Sequence, residues 1–390
     1  MRILYIHNDY AGPSGEEHAA EAIVELLKNH GHQVFWYRRS SAEIAGSITG
    51  KIKAFFTGIY NPFAAQEIVK MLEKVKPDIV QVQNLYPLIS PSILKPIKEC
   101  RIPIVMRCPN YRLFCPNGLH LSKGKLCEKC LDFGRELWCV SKNCTNNLCK
   151  SIGYALRNSI ARFTGSILKN VDIFIVQTEF QKQKFIKNGI PKEKIKILPG
   201  MAPTVDVSEN IPLGDLVTFV GRICMEKGID VFLQAARNLP NIPFAVAGDL
   251  NGMKDIYESS PSNVKWLGFL KSEQLRELYL NSRIIIISSR WHEGFPNVAV
   301  QAMTYARPIV ASRIGAIECI IDHMETGMLF EAGSVPELVH QTRTLYSDKV
   351  LCRELGLAGA NKVASEYSVD KVYKTLMEVY DKAIQFVSQE

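Results

Sequence analysis

The stretch IIIISSRWHEGFPNVAVQAM, residues 284–303, places a carboxylate, Glu293, in a Gly-Phe-Pro turn between two apolar segments. The run of isoleucines is typical of a strand, and the apolar segment after Pro296 is typical of a helix. This order predicts a strand, a loop and a helix. Glu293 then stands at the carboxyl end of the strand, where open α/β sheets bind their ligands.

The same order of strand, loop and helix repeats along the chain. RILYIH (2–7) precedes a helical pattern, and LVTFVGR (216–222) precedes the pattern EKGIDVFLQAARNLP (226–240). Strands that alternate with helices over the whole length predict parallel sheets with helices on both faces.

One interruption divides this pattern. Residues 199–213 are rich in Pro and Gly and have no helical period, so we place a domain boundary there. The simplest architecture is two doubly wound domains that face a cleft, residues 1–203 and 204–366. Residues 367–390 have apolar positions at helical spacing, and we expect this final helix to return to the first domain.

Charge is unevenly distributed. The 390-residue chain has a formal net charge of +8, and residues 1–200 hold about 29 Lys and Arg against about 16 Asp and Glu. A basic first half favours an anionic partner such as a membrane surface, lipid phosphate or nucleic acid, although a solvated basic surface explains it equally well. Nucleic acid is disfavoured because the chain lacks a reader motif. No signal peptide or membrane-spanning run is found, so we expect a cytoplasmic protein.

The segment FVGRICMEKG, residues 219–228, predicts an anion-binding turn. A strand leads into Gly221 and Arg222, and Lys227 stands where the next helix begins. Helix N-terminal amides attract phosphate and the two cations would neutralise it, although ordinary surface charge also explains them. The fingerprints G-x-G-x-x-G and G-x-x-x-x-G-K-[ST] are missing, which argues against NAD enzymes and P-loop kinases.

Gln301 follows Glu293 by eight residues, two helical turns into the next helix. Carboxylate and amide oxygens accept hydrogen bonds from hydroxyl groups, so the pair suits a polyol such as a sugar.

Together these segments resemble the retaining glycosyltransferases of family 4. Residues 289–330 resemble the donor-site signature of that family, and residues 220–235 resemble its diphosphate-binding segment. Residues 7–34 resemble its first strand, loop and helix, and residues 169–199 resemble the segment that joins its two domains. The likeness covers nearly the whole chain.

The resemblance implies a GT-B fold of two Rossmann-like domains, the first binding the acceptor and the second a nucleotide-sugar of the UDP or GDP type. Arg222 and Lys227 would neutralise the diphosphate leaving group in place of a catalytic metal, and Glu293 would contact the transferred hexose. The other residues implied to bind the donor are Gly15, Gly221, Gly268, Phe269, Gly294, Phe295, Asn297, Val298 and Gln301. Transfer with retention is generally ascribed to front-face attack assisted by the leaving phosphate, so no protein nucleophile is needed.

Three positions depart from the family pattern. Gln301 replaces the usual second Glu, which binds ribose hydroxyls, and Ser14-Gly15 replaces two glycines. Pro109 stands where the related subfamily has a His that contacts the donor sugar. Either the donor differs, another residue such as His7 or His120 substitutes, or activity is impaired.

Eight of the eleven cysteines lie between Cys100 and Cys149. In a cytosolic chain such clustering favours a metal site over disulfides. The C-x-x-C pair with flanking cysteines has the spacing of a tetrathiolate zinc site. Zinc would fold an insertion at about residues 108–149 that is too short for its own core. Five candidates compete for four ligand positions: Cys115, Cys127, Cys130, Cys139 and Cys144. Reduced structural thiols and an iron–sulfur or redox role are the alternatives.

Two further segments combine apolar and basic residues. Residues 47–63 predict a buried helix, a lid or a segment at a bilayer interface. Residues 149–171 predict a helix whose Lys and Arg side chains form either a solvated face or a contact with anionic lipid head groups.

These observations favour a retaining sugar transferase of capsule, lipopolysaccharide or exopolysaccharide assembly. Its acceptor would be a glycan or a polyprenyl-diphosphate-linked sugar, and its location cytoplasmic or peripheral on the inner face of the plasma membrane. The alternative is a catalytically weakened homologue that binds nucleotide-sugar or acts as a scaffold in a synthase complex. The oligomeric state is left open.

Overall fold

A computed structural model describes residues 1–12, 15–44, 47–131, 134–203, 212–250 and 252–389, and Ile48 through its backbone only. The strands are β1 (Arg2–Asp9), β2 (Gln33–Ser40), β3 (Ile79–Asn84), β4 (Ile104–Arg107), β5 (Leu121–Ser122), β6 (Lys125–Leu126), β7 (Ile173–Val176), β8 (Ile195–Ile197), β9 (Leu216–Val220), β10 (Phe244–Ala247), β11 (Val264–Gly268), β12 (Ser282–Ile287), β13 (Ile309–Arg313) and β14 (Gly327–Glu331).

The helices are α1 (Gly15–Asn29), α2 (Ile48–Ile59), α3 (Pro62–Val75), α4 (Leu94–Glu99), α5 (Leu137–Ser141), α6 (Leu148–Thr164), α7 (Glu179–Lys187), α8 (Ile229–Asn238), α9 (Lys254–Glu258), α10 (Ser272–Asn281), α11 (Asn297–Thr304), α12 (Val335–Ser347), α13 (Lys349–Glu366) and α14 (Val369–Ser388). No helix in the described ranges combines the length and the apolarity needed to cross a membrane.

The chain divides into two compact units. Unit 1 comprises Met1–His120, Cys127–Pro199 and Val372–Glu390, and unit 2 comprises Leu121–Leu126 and Gly200–Lys371. The boundary predicted between residues 203 and 204 lies at the edge of residues 204–211, which are outside the described ranges. Its position stays a prediction.

Unit 1 is built on a parallel sheet with the strand order β2-β1-β3-β4-β7-β8. The four central strands, β1, β3, β4 and β7, are buried along most of their length, as expected of a sheet covered by helices on both faces, and the edge strands β2 and β8 are only partly buried. The order reverses direction between β1 and β3, which are neighbours. The loops that leave these two strands therefore diverge at the carboxyl edge and leave a crevice there.

The C-terminal part of α14 belongs to unit 1. The Tyr380 hydroxyl is buried and donates a hydrogen bond to Oε1 of Gln81 on β3. Tyr373 stacks on the His30 ring, with the ring centroids 3.6 Å apart, and its hydroxyl lies 2.9 Å from Nε2 of His32.

Unit 2 repeats the plan with the parallel order β11-β10-β9-β12-β13-β14. The four isoleucines of β12 are buried, and the strand lies between β9 and β13 at the centre of the sheet. The order reverses between β9 and β12. The predicted α/β class with two doubly wound sheets is confirmed, and so is the strand, loop and helix order around Glu293.

The segment at residues 47–63 forms α2 and the start of α3. Ser47 caps α2 by accepting the Gly50 amide at 3.2 Å. Only one side of α2 is buried: Gly58 is covered, whereas Ile52 and Phe56 are 55% and 64% exposed. The helix is confirmed, and the buried alternative holds for one side of it only.

Candidate functional site

The two predicted ligand-binding turns of unit 2 lie side by side. The turn that begins at Gly221 leaves β9, and the turn that contains Glu293 leaves β12. These strands are direct neighbours, and the strand order reverses between them. Doubly wound sheets bind ligands at the carboxyl edge at such a reversal.

A glycine allows the two turns to touch. Gly228 has φ +71°, and a Cβ on it would lie 1.9 Å from the Ser288 carbonyl oxygen, so no other residue fits without a shift of the backbone. The Ser288 hydroxyl donates to the carbonyl oxygens of Lys227 and Gly228 at 3.1 and 2.9 Å. This contact fixes the position of Lys227, the residue before the glycine.

Lys227 binds Glu293 across the two turns. Its Nζ lies 2.6 and 2.7 Å from the two carboxylate oxygens, and the Ser289 hydroxyl donates to Oε1 at 2.5 Å. Glu293 is 5% exposed. Burial by itself raises the pKa of its carboxyl, but the Lys227 ammonium and the Ser289 hydrogen bond outweigh burial and hold the pKa below its usual value. The carboxylate is therefore ionised at neutral pH.

Arg222 leaves its guanidinium mostly in solvent. The side chain is 59% exposed, and its Nη1 lies 3.8 Å from Oε1 of Glu226. Helix α8 begins immediately after the turn, at Ile229. An exposed guanidinium beside the first amides of a helix suits an anionic ligand.

An ion pair that the sequence did not suggest links the same turns. Nη2 of Arg290 lies 2.7 Å from the Asp230 carboxylate, and the Arg290 amide donates to the Glu226 carbonyl at 2.9 Å. Its partners lie about sixty residues apart, and neither belongs to a spacing pattern. A strand-pairing prediction for β9 and β12 was the only signal that could have brought them together.

The turn after Glu293 divides its residues between core and surface. The Phe295 ring is 8% exposed, packs edge-on against Tyr367, and fills space above Gly200, where a Cβ would lie 2.4 Å from the ring. A role for Phe295 in ligand binding is thus restricted to its backbone. Asn297 is exposed at the first position of α11, and Val298 is partly buried against the core.

Gln301 is held by a tyrosine. The Tyr279 hydroxyl donates to its Oε1 at 3.0 Å, and the Tyr279 ring stacks on Tyr305 with centroids 5.6 Å apart. Gln301 lies on α11, two turns after Glu293 in the chain, and is partly exposed. The amide nitrogen is left available for a ligand hydroxyl.

The remaining donor candidates lie at the ends of β9 and β11 and at the start of α1. Gly221 follows β9 directly, with φ +144°. Gly268 ends β11, two strands from β9, and its carbonyl accepts the Gly248 amide at 2.8 Å. Phe269 is 68% exposed. Gly15 begins α1 in unit 1 and has open space around its Cβ position, whereas Ser14 is outside the described residues.

Pro109 follows β4 in unit 1 and lines a small cavity of about 40 Å³ together with Glu16, Arg107 and Arg112. Arg107 is 3% exposed, and its Nε and Nη1 have no hydrogen-bond partner among the described atoms. Neither His7 nor His120 is among the described lining residues.

The five candidate cysteines form one electrostatic group in unit 1. Burial, and then the charges of Cys115, Cys144 and Cys127, raise the pKa of Cys130 to about 12. Burial also raises the pKa of Cys115, to about 11, although three amides of residues 117, 118 and 120 donate toward its sulfur. A tetrathiolate metal site requires the thiolate form, which a bound cation would favour against the mutual repulsion of these groups.

Cys139 differs from the other four. It is 1% exposed and its thiol hydrogen-bonds to Cys144, which raises its pKa further than burial does.

Within the described ranges, three ligand atoms that converge within 4.8 Å belong to His7, Asp9 and Glu17 rather than to the cysteines. There, Arg38 already binds Asp9 at 3.1 Å, and the Tyr10 amide donates to Glu17.

Comparison with known proteins identifies the fold and gives a family match for the second half of the chain. Residues 208–362 match the family model of glycosyl transferases group 1. A solved glycosyltransferase from Rickettsia africae superposes with a TM-score of 0.71 over 98% of both chains at 16% identity. Anabaena Alr3699/HepE, solved in complex with UDP, gives 0.68 over 98% of this chain and 100% of that one, also at 16% identity.

Curated relatives are more similar in sequence. An uncharacterized 42.6 kDa protein of the Klebsiella pneumoniae cps region is 27% identical over 68% of this chain. The Streptococcus pneumoniae alpha-galactosylglucosyldiacylglycerol synthase is 23% identical over 59% of the chain. The matches span 65% and 66% of the length of these two proteins. CapM, a capsular polysaccharide biosynthesis glycosyltransferase of Staphylococcus aureus, is 23% identical over 52% of each chain.

The paired turns of unit 2 lie within the matched segment, and both sheets have the strand order of a doubly wound domain. Residues 208–362 therefore match the group 1 glycosyltransferases, a family of transferase enzymes, and the chain as a whole has the GT-B fold.

Proposed function

We propose that the protein transfers a hexose from a nucleotide-diphosphate sugar to a glycan or polyprenyl-diphosphate-linked acceptor, with retention, during assembly of a cell-surface polysaccharide. The observation that carries this proposal is the ion pair of Lys227 and Glu293 at the strand reversal of unit 2. It joins a cation for the diphosphate to an ionised carboxylate for sugar hydroxyls.

In this proposal each side chain has a separate task. Arg222 and Lys227 neutralise the negative charge that develops on the leaving diphosphate, which makes a catalytic metal unnecessary. Glu293 accepts hydrogen bonds from hydroxyls of the transferred sugar and holds Lys227 in position. Gln301 contacts the ribose, with Tyr279 fixing its orientation.

The donor is proposed to be of the UDP type rather than the GDP type. Support comes from Anabaena Alr3699/HepE, which shares the fold and was solved with UDP and with UDP-glucose. The acceptor class and the pathway are supported by CapM and by the cps-region relatives.

We also propose a structural zinc ion in unit 1, bound by Cys115, Cys127, Cys130 and Cys144. These four thiols influence one another electrostatically, and amides already point at Cys115. Cys139 is assigned as the thiol that donates to Cys144 rather than as a ligand. The metal would stabilise the insertion and take no part in glycosyl transfer.

Melting temperatures with UDP, GDP, dTDP, CMP and their common sugar conjugates test the donor site. A ligand at a hundred times its Kd stabilises the native state by about 2.7 kcal/mol, which gives a measurable shift. We expect UDP ligands to raise the melting temperature, Arg222→Ala to abolish the shift and Glu293→Ala to reduce it. Arg343→Ala, which removes an exposed arginine of α12, is the matched control.

No shift with any nucleotide, from folded protein, would contradict a competent donor site. That result would favour the alternative of a weakened homologue with a scaffolding role, for which Pro109 and Gln301 are the supporting residues.

A further inference from the structure

Unit 1 contains a cationic cavity that the proposed donor site does not use. Its volume is about 530 Å³, and it lies between α2, α6 and the loops that follow β1 and β3, where the strand order reverses. Four cations line it, Lys51, Arg112, Lys150 and Arg157, and none of the described lining residues is a carboxylate. Such a lining suits an anion.

Arg157 is the buried cation of this cavity. It is 6% exposed, and its hydrogen bonds to Asn158 and to the Pro116 carbonyl are both long, at 3.4 Å. Its guanidinium lies over the rings of Tyr86 and Tyr154, 3.9 and 4.5 Å from their centroids. Within the described structure no carboxylate lies within ion-pair distance of it. Burial lowers its pKa, so an anionic ligand would relieve an uncompensated buried charge.

Arg112, in contrast, is already partly compensated. Its Nη2 donates to the Tyr10 hydroxyl at 3.2 Å, and that hydroxyl in turn donates to Glu16 at 2.8 Å. The cavity is therefore lined by two guanidinium groups, and the carboxylate of Glu16, which reaches Arg112 through Tyr10, is not part of the lining. The net charge on its wall stays positive.

An apolar surface continues from the cavity. On α6 the exposed apolar residues recur every three or four positions, which places them along one stripe: Leu148, Ile152, Leu156, Ile160 and Phe163. Phe163 is 91% exposed. The cavity-lining residues Cys149 and Gly153 are each next to a stripe residue in the chain, so at 100° per residue the stripe borders the cavity.

Helix α2 presents a matching surface. Phe55 packs against Gly153 of α6, where a Cβ would lie 2.9 Å from the ring, so the two helices meet beside the cavity. Ile52 and Phe56 on the outer side of α2 are exposed, and Lys51 and Lys53 flank them. Exposed apolar side chains with lysines beside them are typical of a surface that contacts anionic lipid.

We propose that this cavity is the acceptor subsite, and that it binds the phosphate or diphosphate head of a lipid-linked acceptor while the hydrocarbon tail lies along the stripes of α2 and α6. The inference rests on the proposed function, because it assigns the acceptor of that reaction. Charge on the cavity wall selects the head, and the exposed aliphatic and aromatic side chains account for the tail. A water-soluble phosphate would leave the stripes without a role.

Calorimetric titration of the full chain with three probes tests this assignment: farnesyl diphosphate, inorganic diphosphate and farnesol, each below its aggregation concentration. Burial of the farnesyl chain should make farnesyl diphosphate bind at least about tenfold more tightly than inorganic diphosphate. Farnesol, which lacks the diphosphate head, should bind at least about tenfold more weakly than farnesyl diphosphate.

Substitutions test the binding of the diphosphate head and of the hydrocarbon tail separately. Lys150→Glu should weaken both diphosphate probes, and Leu156→Ser should weaken farnesyl diphosphate while leaving inorganic diphosphate unchanged. Arg157→Gln should weaken both diphosphates most, and the two surface variants keep the test valid if it fails to fold. Lys70→Glu on α3 and Leu357→Ser on α13 are matched controls with exposed side chains.

Equal affinity for the two diphosphates, no binding of either, or equal weakening by Lys70→Glu would overturn the acceptor assignment. A UDP titration of the same samples keeps the two proposals apart. UDP binding without farnesyl diphosphate binding rejects the acceptor subsite and leaves the donor site. Failure of every nucleotide rejects the proposed function, whatever the cavity binds.

Discussion

The Lys227 ammonium contacts both carboxylate oxygens of Glu293, at 2.6 and 2.7 Å, from a turn 66 residues earlier in the chain. The pair occupies the point where a diphosphate and a sugar ring would meet in the proposed reaction. Without a ligand each charge neutralises the other, so the buried carboxylate is tolerated.

Removal of the Glu293 charge should slow sugar transfer. Glu293→Gln preserves size but weakens the acceptor for sugar hydroxyls and leaves Lys227 without its counter-ion, so turnover should fall by about 10²- to 10³-fold. Initial rates of UDP release would measure the change. Glu354→Gln, an exposed residue on α13, should retain full activity, and a Glu293→Gln enzyme that does so too would remove Glu293 from the proposed site.

Acid should remove the stabilisation that Glu293 provides. Its carboxyl has a lowered pKa in the folded protein, against about 4.3 in an unfolded chain, so the ionised form stabilises the fold above that value. The contribution is lost as pH falls through the lowered folded pKa. Melting temperatures of wild type and Glu293→Gln should therefore converge as the pH falls below about 4.3. A gap that stays constant over this range would contradict the assignment.

Gly228→Ala should lower the free energy of unfolding of unit 2 by more than backbone strain alone would. The new Cβ would collide with the Ser288 carbonyl oxygen, and the expected loss is about 2–4 kcal/mol. Gly31→Ala is the matched control, because Gly31 has φ +80° but open space around its Cβ position. It should lose only about 1 kcal/mol. Equal losses in urea unfolding would show that contact with Ser288 is unimportant.

Gln301→Glu should strengthen nucleotide binding. A carboxylate accepts the Tyr279 hydroxyl as the amide does, and its charge strengthens a hydrogen bond from ribose by about two- to tenfold in affinity. UDP titration measures this, with Gln234→Glu on α8 as a charge-matched control. Weaker UDP binding in Gln301→Glu would place the ribose elsewhere.

Zinc content should distinguish two neighbouring cysteines. We expect about one zinc per chain by elemental analysis, lost in Cys144→Ser and retained in Cys139→Ser, because only the former is a proposed ligand. Cys100→Ser, at an exposed position, is the control. Metal-free wild-type protein that is folded, or zinc lost from Cys139→Ser alone, would refute the ligand set.

The parts of the structure that follow from local pattern could be predicted from the sequence. Four isoleucines in a row predict that β12 is a buried strand, and the Gly-Phe-Pro sequence after Glu293 predicts the loop that carries this residue. The family resemblance implied that Lys227 and Glu293 serve the same donor site, but their ion pair was not predicted, because it depends on β9 and β12 being neighbours. Strand order is a long-range property that spacing alone does not encode.

Other features could not be predicted because they depend on what lies across the interface of two elements. The Phe295 amide was expected at the ligand and this stays a prediction, whereas the packing of the Phe295 ring above Gly200 was not predicted. For Arg157 the sequence left two alternatives, a solvated helix face or a contact with lipid head groups. In the fold this side chain is instead buried against Tyr86. The outer side of α2 is apolar but exposed, which periodicity cannot distinguish from burial.

The return of α14 to unit 1 has a consequence for how the molecule is made. Tyr380 closes over Gln81 in the first sheet, so the core of unit 1 lacks a piece until the ribosome has translated the whole of unit 2. Unit 2, nearly continuous in the chain, can finish folding while the first sheet is still open along α14. Unit 1 therefore begins first in translation and yet receives its last helix only after unit 2 has been synthesised.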